Sequence, residues 1–388
     1  MGIYFYRVRN MKNYSRRLFS LLVLFTAMGI LIFPSQSADS ARTGIELSLN
    51  AVIPSIFPFM VISCVMINSG ILNSFSKALQ PLMKLFNLNK SCAGTVVLGL
   101  ISGYPMGTKS AVSLYQNKLC SKTEGERLLT FCNNTSPAFI LITVGVGIYK
   151  SLTIGIMLLS AQILSSMLTG IVFGRFWKPK EKLLNKSYTQ TAFQNIPLSF
   201  IDAIKASSLS IIYICAFVVF FCVFINLLEC CYIINFLSEL LHFAGLGIFL
   251  EKENISQLII GFFEITAGVK KSSAGAIPLA VTGSILGWAG ISVHCQIITF
   301  LKESPFSAKP YILGKLFQSI SSFFITYILA LLFPIEKQVF LNFKNENFFY
   351  STTKILNIFF VICLFFVLFY KIIIFIKKRY LLYKKNDV

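Results

Sequence analysis

The sequence predicts an all-α polytopic membrane protein with about eight transmembrane helices, built as two inverted-topology repeats with re-entrant hairpins. Three observations carry this prediction. Of the 388 residues, 55% are hydrophobic and 13% charged. With a mean hydropathy of +0.74, the chain has more apolar surface than a water-soluble core can hide. The net charge is +20, and the basic residues flank apolar segments in three clusters: Arg7 to Arg17, Arg175 to Lys186, and Lys377 to Lys385. In a soluble protein such a charge would indicate nucleic acid, but beside apolar spans it marks cytoplasmic segments. Finally, each half holds a Gly-broken apolar segment ending in Gly-x-Lys, Gly99 to Lys109 in the first and Gly261 to Lys270 in the second. Broken helices at matching places in two halves expose main-chain dipoles to a solute at mid-membrane, as in secondary carriers.

The elements follow in order. Residues 1–44 hold a basic N-terminus and a first apolar helix from Leu18 to Phe33. This is either a signal peptide cleaved near Ser35-Gln-Ser37 or an anchor, and the spans downstream favour the anchor. Ser35 to Glu46 reads as an external loop. The first repeat, 45–178, contains a span at 45–69, an amphipathic stretch at 71–87 and a Gly-interrupted hairpin at 91–115. A broken span at 125–149 and an unbroken one at 151–174 complete it. Residues 179–198 form a cytoplasmic linker. The second repeat, 199–335, runs in the same order: a span at 199–227, an interfacial amphipathic stretch at 232–250 and a Gly-interrupted segment at 255–269. A broken span at 273–300 and a span at 310–333 follow. Residues 336–388 supply a last span at 355–376 and the basic tail. Both termini are then cytoplasmic, and Glu264 alone is left inside the membrane.

The chemistry concentrates at four backbone breaks in two symmetric pairs. Gly103-Tyr-Pro-Met-Gly107 pairs with Glu264-Ile-Thr-Ala-Gly268, and Asn133-Asn-Thr-Ser-Pro137 pairs with Gly287-Trp-Ala-Gly290. Non-helical backbone at membrane depth survives only where protein or a watery cavity satisfies its polar groups. A buried carboxyl is costly there, so Glu264 should face a partner, an ion or a solute, unless it merely pairs with Lys109 or Lys270. Those two lysines could attract an anion as point charges, or simply snorkel to the interface. Asn133, Asn134, Thr135 and Ser136 are suited to hydrogen-bonding a polar ligand, or equally to capping helices. The candidate substrate-binding set is therefore Ser102, Gly103, Tyr104, Lys109, Asn133, Asn134, Thr135, Ser136, Glu264, Thr266, Lys270, His294 and Gln296.

The ten cysteines lie mostly in apolar runs without CxxC spacing, as small hydrophobes do. With two histidines, a zinc site has little support, and none is expected. No GxxxxGK[ST], GxSxG or HExxH motif occurs, which argues against ATP-driven pumping and against the familiar hydrolases, so no enzyme activity is expected. The expected partners are a small-molecule solute and the lipid bilayer, with no nucleic acid. A homo-oligomer is left open, and no cofactor is expected beyond a coupling Na⁺ or H⁺. A non-transporting scaffold and a passive channel are the competing readings.

Four blocks carry a family resemblance: Ile53-Pro-Ser-Ile-Phe-Pro-Phe59, Gly99-Leu-Ile-Ser-Gly-Tyr-Pro-Met-Gly107, Asn133-Asn-Thr-Ser-Pro-Ala-Phe139 and Gly290-Ile-Ser-Val-His-Cys-Gln296. Across roughly residues 45 to 335 the chain resembles the sporulation integral membrane proteins of the YlbJ type, grouped with the nucleoside-recognition, or Gate-domain, membrane proteins. The wider superfamily is similar to the concentrative nucleoside transporters, which implies inverted repeats with re-entrant hairpins and unwound helices. The resemblance also implies a role in endospore formation, in the mother-cell membrane around the forespore, with dipicolinic acid as cargo. The chain departs from a typical nucleoside carrier in having a single intramembrane carboxylate.

Overall fold

A computed structural model describes residues 17, 20–68, 79–177 and 196–333, apart from 274 and 303. Among the described residues the fold is all-helical. Helix α1 (Ser20–Ile32) is followed by α2 (Pro34–Leu47), which runs through the π turn Ser48–Val52 into α3 (Ile53–Asn68). The segment expected as an external loop, Ser35 to Glu46, is therefore helical. Its polar residues suggest a loop, yet Asp39, Ser40, Arg42 and Thr43 are satisfied along the helix itself. Pro34 opens the first turn, Ser40 and Thr43 donate to the carbonyls of Gln36 and Asp39 at 2.7 and 3.0 Å, and Arg42 pairs with Asp39 at 3.3 Å. These local bonds remove the reason for a loop.

The first half continues with α4 (Gln80–Leu85), the 3₁₀ turn Lys90–Cys92, α5 (Ala93–Ile101), α6 (Met106–Gln116) and α7 (Lys122–Phe131). A capping box formed by Ser121 and Glu124 starts α7. A π-helix, Phe139–Ile148, and α8 (Leu152–Phe176) close this half. The second half repeats the order with α9 (Ile196–Cys230), α10 (Ile233–Phe243), α11 (Lys252–Phe263) and α12 (Ile265–Lys270), then α13 (Ala276–Trp288), α14 (Gly290–Leu301) and α15 (Ala308–Leu332). Each half thus offers a long helix, a short one, a hairpin broken at its tip, a broken span and a closing helix. Helices α2 and α3 both pack on α9. In α10, Phe236, Leu240 and Phe243 are exposed while Ile234 and Ser238 are buried, the one-sided pattern of an interfacial helix.

Among the described residues five helices are long and apolar enough to cross a membrane: Pro34–Met66, Leu152–Phe176, Phe200–Cys230, Ala276–Leu301 and Ala308–Leu332. Shorter apolar helices lie at Ser20–Ile32, Lys90–Ile101, Phe139–Ile148 and Ile233–Phe243. Residues 71–78 of the first amphipathic stretch, most of the 179–198 linker, the span expected at 355–376 and the basic tail lie outside the described residues.

The closing helices α8 and α15 are each 25 residues long and carry polarity on the inside. On α15 the residues Tyr311, Lys315, Gln318, Ser322 and Thr326, spaced three or four apart, are all fully buried, whereas Leu316, Ile320, Phe324 and Ile328 are exposed. On α8, Gln162, Ser165, Ser166 and Thr169 are buried. Helical spacing puts each set on one face, and in lipid the apolar face is the outer one. Gln162 and Gln318 stand at the same position of their helices, ten residues after the first. There the Nε2 of Gln318 reaches the Oε1 of Gln162 at 3.4 Å, and the Nε2 of Gln162 donates to the Gly283 carbonyl at 3.0 Å and the Ser322 hydroxyl at 2.9 Å. The two halves are tied together by amides at their centre.

Glu264 is not the only ionisable group inside the bundle, as the hydropathy reading had expected. Lys315 is 0% exposed and Arg127 1%. Lys315 sits near the start of α15, where hydropathy alone reads an interfacial lysine. The preceding residue, Gly314, lies so close to the backbone of Thr130 that a Cβ there would overlap it. This close approach swings Lys315 into the interior. Arg127 is satisfied differently: its Nε and Nη1 donate to the carbonyls of Trp177 and Asn87 at 2.9 and 2.6 Å.

Candidate functional site

The first break, residues 102–105, separates α5 from α6, and the second, beginning at Cys132, follows α7. They are pressed together because Gly99 and Gly107 both lie against the Cys132 carbonyl, in space that any Cβ would fill. Helix α6 has no side-chain cap of its own; the Met106 N–H donates to the Gly103 carbonyl at 3.1 Å, and the other first-turn N–H groups need partners from elsewhere. Asn133 supplies one from outside: its Oδ1 accepts from the Thr108 N–H at 3.0 Å and the Thr108 hydroxyl at 2.7 Å. Asn134 does the same for helix C-termini. Its Nδ2 donates to the carbonyls of Gly99 at 3.1 Å and Phe131 at 2.9 Å, its Oδ1 accepts from Gln318 at 2.7 Å, and its carbonyl accepts from the Tyr104 N–H at 2.8 Å. Between the two readings open for these asparagines, the geometry makes them caps for the broken helices.

The remaining first-half candidates are tied in the same way. Ser102 and Ser63 share a hydrogen bond through their hydroxyls, and Gly103 takes a φ of +76°, in the left-handed region glycine accepts without strain. Thr135 donates to the carbonyl of Leu286 at 3.2 Å, carrying the second break across to the end of α13. The hydroxyl of Ser136 accepts from the Phe139 N–H at 3.3 Å.

In the second half, Glu264 is the single extended residue between α11 and α12 and is 1% exposed. Its Oε2 accepts from the Ala267 N–H at 2.6 Å, so the carboxylate caps α12, where the helix dipole favours negative charge. Thr266 is buried beside it and contributes to the same capping. No Lys or Arg nitrogen among the described residues lies within 4 Å of the carboxylate; the ion pairs there are Arg42–Asp39, Lys252–Glu239 and Lys271–Glu229. Lys109 is half-buried and Lys270 exposed, so neither is the partner considered for Glu264 from the sequence.

The fourth break is sharp. Ala289 and Gly290 take φ values of +78° and +84°, and a Cβ on Gly290 would meet the Phe263 carbonyl at 3.1 Å and the Glu264 Cα at 3.3 Å. The third and fourth breaks are therefore in contact, as are the first and second. Tyr104 completes the junction: it is buried, and its N–H donates to the Asn134 carbonyl of the second break at 2.8 Å. Just past the fourth break, His294 Nδ1 meets the Tyr311 hydroxyl at 2.6 Å, and the Trp288 ring lies edge-on at 4.3 Å. The Nε2 of His294 and the Oε1 of Gln296 are buried with no hydrogen-bond partner. Buried polar atoms without partners are uncommon and ask for a ligand or water.

Residues 49–172 match the Gate family, described as nucleoside recognition. The Gate region covers the first hairpin and the broken span behind it. Over 333 residues the chain is 27% identical to the sporulation integral membrane protein YlbJ of Bacillus subtilis (strain 168), covering 80% of this chain and 82% of that protein. A solved structure of a variant of CNTnw, a concentrative nucleoside transporter, in its intermediate 3 state covers 84% of this chain and 88% of its own, with a TM-score of 0.48 and 12% identity. The chain is thus similar to membrane proteins with a Gate region.

Sequence reading missed Lys315, Gln318, Gln162 and Thr108, all of which support the junction. A signal was present for the first two. From Tyr311 to Thr326, polar residues recur at helical spacing within an apolar segment, and mean hydropathy averages such a stripe away. For Thr108 there was none, because its partner is set by the packing of two glycines on Cys132.

Proposed function

We propose that this protein is a secondary carrier of a small polar or anionic solute in endospore-forming cells. One observation carries the reading: the third and fourth breaks pack on each other at a buried carboxylate, Glu264, the second break is bonded across to the end of α13, and His294 and Gln296 just past the fourth break keep buried polar atoms without partners. A purely structural bundle has no use for uncoiled main chain and unsatisfied polar atoms at its centre, since each costs free energy in lipid. A carrier uses both. The solute is held by hairpin tips and helix termini, and a shift of one part of the protein against the other turns the site to the opposite side of the membrane.

The relation to a sporulation membrane protein supports placing the carrier in the bacterial cytoplasmic membrane, specifically the mother-cell membrane facing the forespore, with both termini in the mother-cell cytoplasm. Dipicolinic acid is the solute that fits this setting, as a small aromatic dicarboxylate. The test compares dipicolinate in spores and in their mother cells with and without the gene. Dipicolinate trapped in the mother cell is the expected result. Normal spore content, or absence of dipicolinate from both compartments, would overturn the assignment of this cargo.

A further inference from the structure

Lys315 is fully buried in the bundle, and its ammonium meets only neutral acceptors: the Asn133 carbonyl and the Gln318 Oε1, both at 2.9 Å. An ammonium has three N–H groups to place, so one is left over. Among the described residues no carboxylate lies within 4 Å of it. Glu264, whose carboxylate caps α12, forms no ion pair with it. A buried cation without a counter-charge is costly in a membrane protein and marks a solute or ion path.

The position is also informative. Lys315 lies one turn after Tyr311 on the inner face of α15, and Tyr311 holds His294. Through Asn133, Lys315 is bonded to the second break, and His294 is within its electrostatic reach. The cation is thus bonded to the second break through the Asn133 carbonyl and lies one turn from the tyrosine that holds His294 just past the fourth, where the Nε2 of His294 has no partner. The matching position of α8 is Leu159, so the charge belongs to one half only.

We infer that Lys315 is the specificity-determining group for negative charge in the solute, its free N–H binding a carboxylate that supplies the missing counter-charge. This rests on the carrier reading above. Gln318 is the positioning residue: its Oε1 holds the ammonium, and its Nε2 is held by Asn134 at 2.7 Å.

The experiment uses the full chain in proteoliposomes under imposed Na⁺ and proton gradients, with three probes: pyridine-2,6-dicarboxylate, its neutral diamide, and uridine. Wild type should take up the dicarboxylate in preference to the diamide. Lys315→Met should lower dicarboxylate uptake about ten- to a hundredfold, the worth of a hydrogen bond to a charged group, and collapse the preference, while Lys315→Arg should retain part of it. Gln318→Glu places a fixed carboxylate on the ammonium and should give the same loss with the lysine present, which keeps the test decisive if Lys315→Met does not fold. Unchanged dicarboxylate uptake in a folded Lys315→Met, or in Gln318→Glu should that variant fail, overturns the inference and leaves the carrier reading standing. So does uptake of uridine alone by wild type. Uptake of none of the three overturns the carrier reading and the inference with it.

Discussion

The two halves share an order of elements but divide the chemistry unequally. In the first half the breaks are satisfied by neutral amides and hydroxyls: Asn133 caps α6, Asn134 binds the ends of α5 and α7, and Thr135 reaches across to α13. In the second half the corresponding work falls to a charge, Glu264 capping α12, and a second charge, Lys315, stands where the first half has Leu159. Where α8 and α15 meet, the halves remain equivalent, with Gln162 against Gln318. Duplication thus explains the scaffold. The departures at Glu264 and Lys315, both in the second half, mark the groups that a solute would feel.

That division can be broken experimentally. The largest effect is expected for Glu264→Ala, which should abolish solute accumulation in vesicles while the protein still reaches the membrane; full accumulation by a correctly inserted variant would return Glu264 to a purely structural role. Next, Asn133→Ala strands the Thr108 N–H and hydroxyl, which should cost about 1–3 kcal/mol of stability, the penalty of an unsatisfied buried polar group. It should lower the melting temperature in detergent with little change in solute affinity. A variant that melts normally but binds weakly would move Asn133 from scaffold to site. The central amide contact is smaller: a double-mutant cycle of Gln162→Leu and Gln318→Leu should show a coupling of about 0.5–1.5 kcal/mol in melting experiments. Strict additivity would mean that the halves are not tied there. The smallest effect belongs to Lys270→Ala, since the residue is exposed; stability should stay within about 0.5 kcal/mol, and unaltered solute uptake is expected. A large loss of uptake would restore Lys270 to the site.

Several features were legible in the sequence because each rests on a local rule. Glycine weakens a helix locally, so the hairpin at 91–115 and the broken span at 273–300 appear close to where they were expected, as α5–α6 and α13–α14. Glu264 stood out because a carboxyl in an apolar run has few ways to be stable. The helix at Pro34–Leu47 was hidden, since Asp39, Ser40, Arg42 and Thr43 find their partners only once the helix exists. Lys315 was hidden for the opposite reason: its burial depends on a contact between Gly314 and Thr130, 184 positions apart in the chain for no reason that pattern can supply.

The amino-acid sequence alone determined that this is a helical membrane protein, that it repeats one plan twice, and where its helices break, because apolar length, Gly and Pro act within a single segment. The tertiary structure decided which polar groups the scaffold consumes and which it leaves over. Asn133 and Asn134 are taken up by helix ends, while His294, Gln296 and Lys315 keep a donor or acceptor in reserve. Hydrogen bonds between distant segments settle that division, and no local pattern encodes them.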